Sequence, residues 1–252
     1  MKTTYFSTLV LFFSLTLSLF AGNKELIEKG NKEYKSGDFI SAINTYQKVI
    51  ESGSVSPELY FNLGNAYYKA NDYAHSILFF ERAKRLKPSD DDINFNLKLA
   101  NSKIVDKIDA MPGLFFVNWW NSAAALFSHT GWAVISIIAF CLMLALFLFY
   151  LFGNTLVFRK VSFFSGITFM AVFVLSLLFA RKEFVLSNNT DEAIILSPVV
   201  NVKSSPDLQA TDIFILHDGT KVSITDNIGS WYEIKIPNGN KGWVDRAVFE
   251  TI

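Results

Sequence analysis

The sequence predicts a multi-domain membrane protein: an all-α repeat stack, a two-helix transmembrane hairpin and a small all-β barrel, in that order. Three observations carry this reading. Residues 24 to 110 resemble themselves at a spacing of 34 residues, a period typical of stacked helical hairpins. Gly131 to Phe152 and Val161 to Ala180 are runs without a charged side chain, and each as a helix covers roughly 30 Å, the thickness of a bilayer's hydrocarbon core. From Ala193 onward the apolar period changes to two, as in short half-buried strands.

Composition agrees. With 25 Phe and only 18% charged residues among 252, the chain is more apolar than a soluble protein of its length. The formal net charge is zero, which removes any bulk electrostatic argument for nucleic acid or an anionic surface as partner. The single cysteine, Cys141, falls in the first apolar run, where it can form no internal disulfide and reads as a small packing residue.

Residues 1–22 have the outline of a secretory signal peptide: Lys2, an apolar stretch from Leu9 to Phe20, then Ala21-Gly22 before the chain turns polar. Leu19 stands three residues before a cut after Ala21, a poor cleavage site, so an uncleaved anchor is the alternative. In either case the following segment is expected to be exported.

Residues 23–110 form the repeat domain. Gly30-Asn31 recurs as Gly64-Asn65, Tyr34-Lys35 as Tyr68-Lys69, Asp38-Phe39 as Asp72-Tyr73, Ile43 as Ile77 and Tyr46 as Phe80. Each unit reads as two helices broken at Ser36-Gly37-Asp38 or Ala70-Asn71-Asp72. There Gly37 or Asn71 can end the first helix in the left-handed region, and the following Asp can cap the second. The run Leu63 to Lys69 with Asp72-Tyr73, Ile77, Phe80, Ala83 and Pro88 resembles the tetratricopeptide repeat, and the first unit matches it less fully. A third helix is expected through Ile93, Leu97, Ala100 and Ile104. Two repeats and one helix are fewer than the roughly three units a stack needs. Asn31, Lys35, Asn65, Lys69 and Asn96 are expected on the concave face. Asn is a poor helix former, so its recurrence needs a cause. Either the amides and lysines hold a partner's extended backbone or carboxylate, or the amides belong to the framework and bond the next helix.

Residues 111–130 follow a Pro112-Gly113 break. Phe116, Trp119, Trp120, Ala123 and Phe127 fall on one helical face and Asn118, Asn121, Ser122 and Ser128 on the other, as in a helix lying at a membrane interface. A flap packed on the repeats is the alternative. The expected transmembrane helices are 131–152 and 161–180, joined by a cytoplasmic loop at 153–160 and followed by a linker at 181–189. So short a loop makes them antiparallel, with the flanking modules on one side. Arg159-Lys160 and Arg181-Lys182 tie by the positive-inside rule, so the orientation rests on the export signal. Neither run holds an ionisable side chain, which argues for an anchor and against an ion path. His75 and His217 are expected to be exposed.

Residues 190–252 contain the alternating runs Val200 to Lys203, Lys221 to Ile224 and Tyr232 to Ile236, punctuated by Ser205-Pro206-Asp207, Asp218-Gly219, Asn227 to Gly229 and Asn238-Gly239, the last a strong hairpin signal. Such spacing points to a small barrel. With Trp231-Tyr232-Glu233-Ile234 and Gly239 to Val244 the module resembles a bacterial SH3 domain, an SH3-like barrel whose relatives commonly bind peptides, often of the cell wall. Trp231, Tyr232 and Trp243 are its candidate peptide-binding residues, with a framework role as the alternative.

No phosphate loop, metal-ligand motif or nucleophile–base pair is evident, so neither an enzyme nor a cofactor is expected. The order export signal, repeats, apolar pair and barrel, with the stretch Asn96-Leu97 to Val105-Asp106-Lys107-Ile108, resembles the BatE-type proteins of aerotolerance operons in Bacteroidetes and spirochaetes. That resemblance implies partners that are membrane proteins with von Willebrand A domains and, indirectly, a MoxR-type ATPase. The export signal and the even number of crossings make the expected arrangement a two-pass protein of the bacterial inner membrane with both soluble modules in the periplasm, acting as a scaffold. Cell-wall peptide binding through the barrel is the second reading.

Overall fold

A computed structural model describes residues 23–108, 114–188 and 191–252. The expected signal peptide and the Pro112-Gly113 break lie outside them. Two compact units divide the chain: one holds the repeats and the barrel, the other the long apolar helices.

In the first unit, α1 covers residues 23–35, followed by α2 (Phe39–Glu51), α3 (Pro57–Lys69), α4 (Tyr73–Leu86) and α5 (Asp91–Asn101). The breaks form as their residues require. Gly37 and Asn71 take φ of 84° and 63°, and the Asp38 and Asp72 carboxylates accept from the Ser41 and His75 amides at 3.1 Å. Ser56 caps α3 by accepting from Leu59 N, with Pro57 at the first helical position, where its missing N–H costs nothing. The core is built from Ala42, Tyr46, Leu63, Ile77 and Phe80. Close helix approach is possible because Gly30 and Gly64 face aromatic rings: a Cβ there would lie 2.6 Å from Tyr46 and 2.7 Å from Phe80. The third helix stops at Asn101, short of the expected Ile104. Asn101 Nδ2 donates to Leu97 O and Lys107 Nζ to the carbonyls of Asn101 and Ser102, so side chains satisfy the last carbonyls and no further turn is needed.

Seven antiparallel strands, β1 (Glu192–Ile195), β2 (Val199–Lys203), β3 (Asp212–His217), β4 (Lys221–Ile228), β5 (Trp231–Lys235), β6 (Lys241–Asp245) and β7 (Phe249–Thr251), follow the order β3-β2-β6-β5-β4-β1-β7. Gly219, Gly229 and Gly239 occupy the expected turns with positive φ. Ala193, Val202, Leu216, Ile234 and Val244 fill the barrel. β1 departs from simple alternation, being buried over Ala193, Ile194 and Ile195 alike. Ala193 and Ile195 face the barrel core, whereas Ile194 joins the core of the repeats.

The second unit contains α6 (Phe115–Ala124), α7 (His129–Phe152) and α8 (Leu156–Asn188). Both α7 and α8 are long and apolar enough to cross a membrane. Small residues, Ser136, Ala139, Ser162 and Ser176, are buried along with Phe179 and Glu183, which lets the two helices pack closely, while most Phe and Leu side chains are exposed. α8 is longer than the expected 161–180 at both ends. Apolarity stops at Arg159-Lys160 and at Arg181-Lys182, but arginine and lysine are good helix formers, and Thr155 Oγ1 accepts from Phe158 N to start the helix earlier. Only Gly153 to Thr155 separate the two helices. Within α6 the apolar face divides: Trp120 packs on Phe179 of α8, ring centroids 4.6 Å apart, whereas Phe115, Phe116 and Trp119 are exposed.

Candidate protein-interaction site

α1, α3 and α5 lie side by side as the first helices of successive units, and their asparagines form rungs between them. Asn31 Oδ1 accepts from Asn62 Nδ2 at 3.3 Å and from Tyr46 Oη at 2.7 Å. One period later Asn65 Oδ1 accepts from Asn96 Nδ2 at 2.8 Å. The amides therefore bond the next helix, the framework role, and they do so through carbonyl oxygens. The side-chain N–H groups of Asn31 and Asn65 donate no bond among the described residues, so they remain able to bind an acceptor.

A pocket of 190 Å³ opens here, lined by Asn31, Tyr34, Lys35, Tyr46, Asn62 and Asn65. It is smaller than a typical small-molecule site and suits one polar group of an extended chain. Burial pushes the Tyr46 phenol up to about 12, helped by Tyr34 and Glu33, so the hydroxyl stays a neutral donor to Asn31 at physiological pH. Lys35 is exposed at the rim. Of the expected concave-face residues, Asn31, Lys35 and Asn65 line this pocket, and Lys69 and Asn96 do not. Sequence reasoning overlooked Asn62, although it precedes Asn96 by the same 34 residues that separate Asn31 from Asn65.

On the barrel, strand pairing separates the three candidate aromatics. Trp231 lies opposite Asp245 and Glu233 opposite Trp243, and cross-strand partners share a face, so both tryptophans border an outer row centred on Glu233. Lys241 Nζ and Thr225 Oγ1 donate to Glu233; those bonds, with the Lys241 charge, hold its carboxyl below the usual range. Tyr232 alternates to the other face and packs edge-on against Phe249, centroids 5.3 Å apart.

The histidines depart from expectation. His75 is half-buried, stacked on Tyr67 with centroids 4.9 Å apart, and its Nδ1 lies 2.8 Å from Asp72 Oδ2. His217 meets Asp106 through both its backbone N–H at 2.7 Å and its ring Nδ1 at 2.8 Å. Neither partner is legible from sequence, since His217 and Asp106 are 111 residues apart and Asp72 reads first as a helix cap. Among the described residues no group of three or more His, Cys, Asp or Glu is placed to hold a metal ion.

Family models place these surfaces in known modules. Residues 30–71 match a TPR repeat, residues 57–90 a tetratricopeptide repeat and residues 198–250 a bacterial SH3 domain. No curated protein matches the chain.

Proposed function

We propose that the protein is a non-enzymatic, membrane-anchored scaffold whose repeats hold a partner protein at the outer face of a bacterial inner membrane. The observation that carries this reading is the pocket of Asn31, Tyr34, Lys35, Tyr46, Asn62 and Asn65. Its amide N–H groups, the Tyr34 phenol and the Lys35 ammonium can engage the carbonyls or carboxylate of an extended segment. Tetratricopeptide repeats are interaction modules, which supports the same conclusion. Two helices able to span a membrane supply the anchor, and the exposed Phe115, Phe116 and Trp119 suit an interfacial helix beside it. The resemblance to BatE-type proteins makes von Willebrand A-domain membrane proteins the expected partners. A MoxR-type ATPase would then be reached through them, because the connection between the two helices is so short.

Affinity capture of the intact protein from detergent-solubilised membranes tests this. A von Willebrand A-domain membrane protein should be retained by the unaltered chain and lost when Asn31→Ala and Asn65→Ala are combined. Retention of no membrane protein in repeated trials would reject the scaffold. A second reading rests on the outer row of Trp231 and Trp243 within the bacterial SH3 match, namely binding of cell-wall peptide. For that reading, the intact protein in nanodiscs should sediment with purified cell wall, and Trp231→Ala with Trp243→Ala should abolish it.

A further inference from the structure

The repeats and the barrel belong to one compact unit, and they join where the repeat period leaves a place empty. In the first repeat, Gln47 on α2 donates from Nε2 to Tyr67 Oη on α3 at 2.8 Å, so this second helix is held by the first helix of the unit that follows. One period later Asn101 of α5 stands where Tyr67 does but donates to Leu97 O of its own helix, and Glu81 accepts instead from Lys221 Nζ of β4 at 3.0 Å. Its neighbour Arg82 donates to Glu250 Oε1 and to Thr251 O of β7, each at 2.7 Å. The third unit is not shaped to receive a second helix of its own. Gly30 and Gly64 accommodate the rings of Tyr46 and Phe80, but Lys98 stands one period beyond Gly64. In that place Ile194 and Ile252 enter the core that contains Ile77 and Leu97. Gly219, at φ 84°, brings the β3–β4 turn against Ile77 and Ile104 with no room for a Cβ. Asp106, just past α5, accepts from the His217 amide, the His217 ring and the Thr220 hydroxyl.

We propose that the barrel takes the place of the missing second helix of the third repeat, so that the stack completes its core only when residues 192–252 have joined it. Two repeats and a lone helix fall below the roughly three units a stack requires; the barrel provides the remaining covering surface. Since the two apolar helices intervene in the chain, the repeats acquire their final stability only after the barrel strands have reached the same compartment. A partner that reads the folded repeats thereby reads a fully inserted molecule. This holds whichever partner the concave face binds.

Hydrogen exchange of the full chain in nanodiscs, followed by mass spectrometry, tests the proposal. In the unaltered protein the slowest amides of α3, α4, β1 and β4 should open together. Arg82→Glu or Ile104→Asp should speed exchange in α3 and α4, remote from the substitution as well as beside it, by about tenfold or more. Glu250→Arg alone should do the same, and Arg82→Glu combined with Glu250→Arg should recover most of the protection, short of the bond to the Thr251 carbonyl. Unchanged protection of α3 and α4 in the single variants, or no recovery in the combined one, overturns it.

Discussion

Gly30 and Gly64 set how closely the helices of each repeat can approach. The ring atoms of Tyr46 and Phe80 occupy the space a Cβ would need, and both rings are fully buried, so they cannot swing aside. Gly64→Ala should therefore destabilise by overpacking, about 1–3 kcal/mol, although alanine is the better helix former; the midpoint of denaturant unfolding measures it. The gain from propensity is under about 1 kcal/mol and loses. Tyr46→Phe offers the opposite case. Phenylalanine already fills the equivalent place at Phe80, so the ring should fit and only the hydroxyl bond to Asn31 disappears. The expected cost is about 1 kcal/mol, read from the same midpoint. A sharper loss of partner retention than of stability would place the hydroxyl in recognition. Position 31 was legible because an asparagine recurring inside helices needs a reason. Tyr46 was legible only as core, because its polar end becomes informative once the neighbouring helix is in place.

Helix ends show how far sequence reasoning carries at the level of elements. Gly37, Asn71, Asp38 and Asp72 punctuate the repeats by local chemistry, and the helices stop and start where those residues direct. The ends of α8 were not legible, since a reading based on apolarity finds the membrane-thick part of a helix and is silent about charged turns that continue it. The start of α4 carries more than a cap. The hydrogen bond that the His75 ring donates to the Asp72 carboxylate raises the pKa of His75 against the opposing effect of burial. Burial works to raise Asp72, but its bonds to the His75 ring and amide outweigh this and leave it lowered. The signs then fix a window. The His75 contribution is complete below its unfolded value and fades as pH rises through the raised folded value. The Asp72 contribution is complete above its unfolded value and fades as pH falls through the lowered one. Stability from the pair should be greatest between about pH 4 and 6.5. Thermal unfolding of Asp72→Asn, which keeps a good capping residue, should lack this part of the pH dependence; an unaltered profile would place its origin elsewhere.

For the whole molecule, the three modules were legible because each has its own period, whereas their union was not. Arg82 meets Glu250 across 168 positions and His217 meets Asp106 across 111, and nothing in a lone Arg or Asp names so distant a partner. Only β1 left a trace, in the uninterrupted Ala193-Ile194-Ile195 that a barrel strand covered on one face would not need. This union constrains topology more firmly than the charges flanking the apolar runs. Segments before and after the two long helices pack into one core through Ile77, Ile104, Ile194 and Ile252. If α7 and α8 each cross a bilayer once, those segments emerge on the same side, and the Gly153 to Thr155 connection lies on the other. After Cys141→Ala, which removes the native thiol, single cysteines at Lys35 and Asn238 should both react with an impermeant maleimide added outside intact spheroplasts. A cysteine at Thr155 should react only after permeabilisation. Labelling of Lys35 and Asn238 from opposite sides would separate the modules by a membrane and is incompatible with the shared core. Protection of both, with Thr155 exposed outside, would keep the core and reverse the orientation, placing the scaffold's concave face in the cytoplasm.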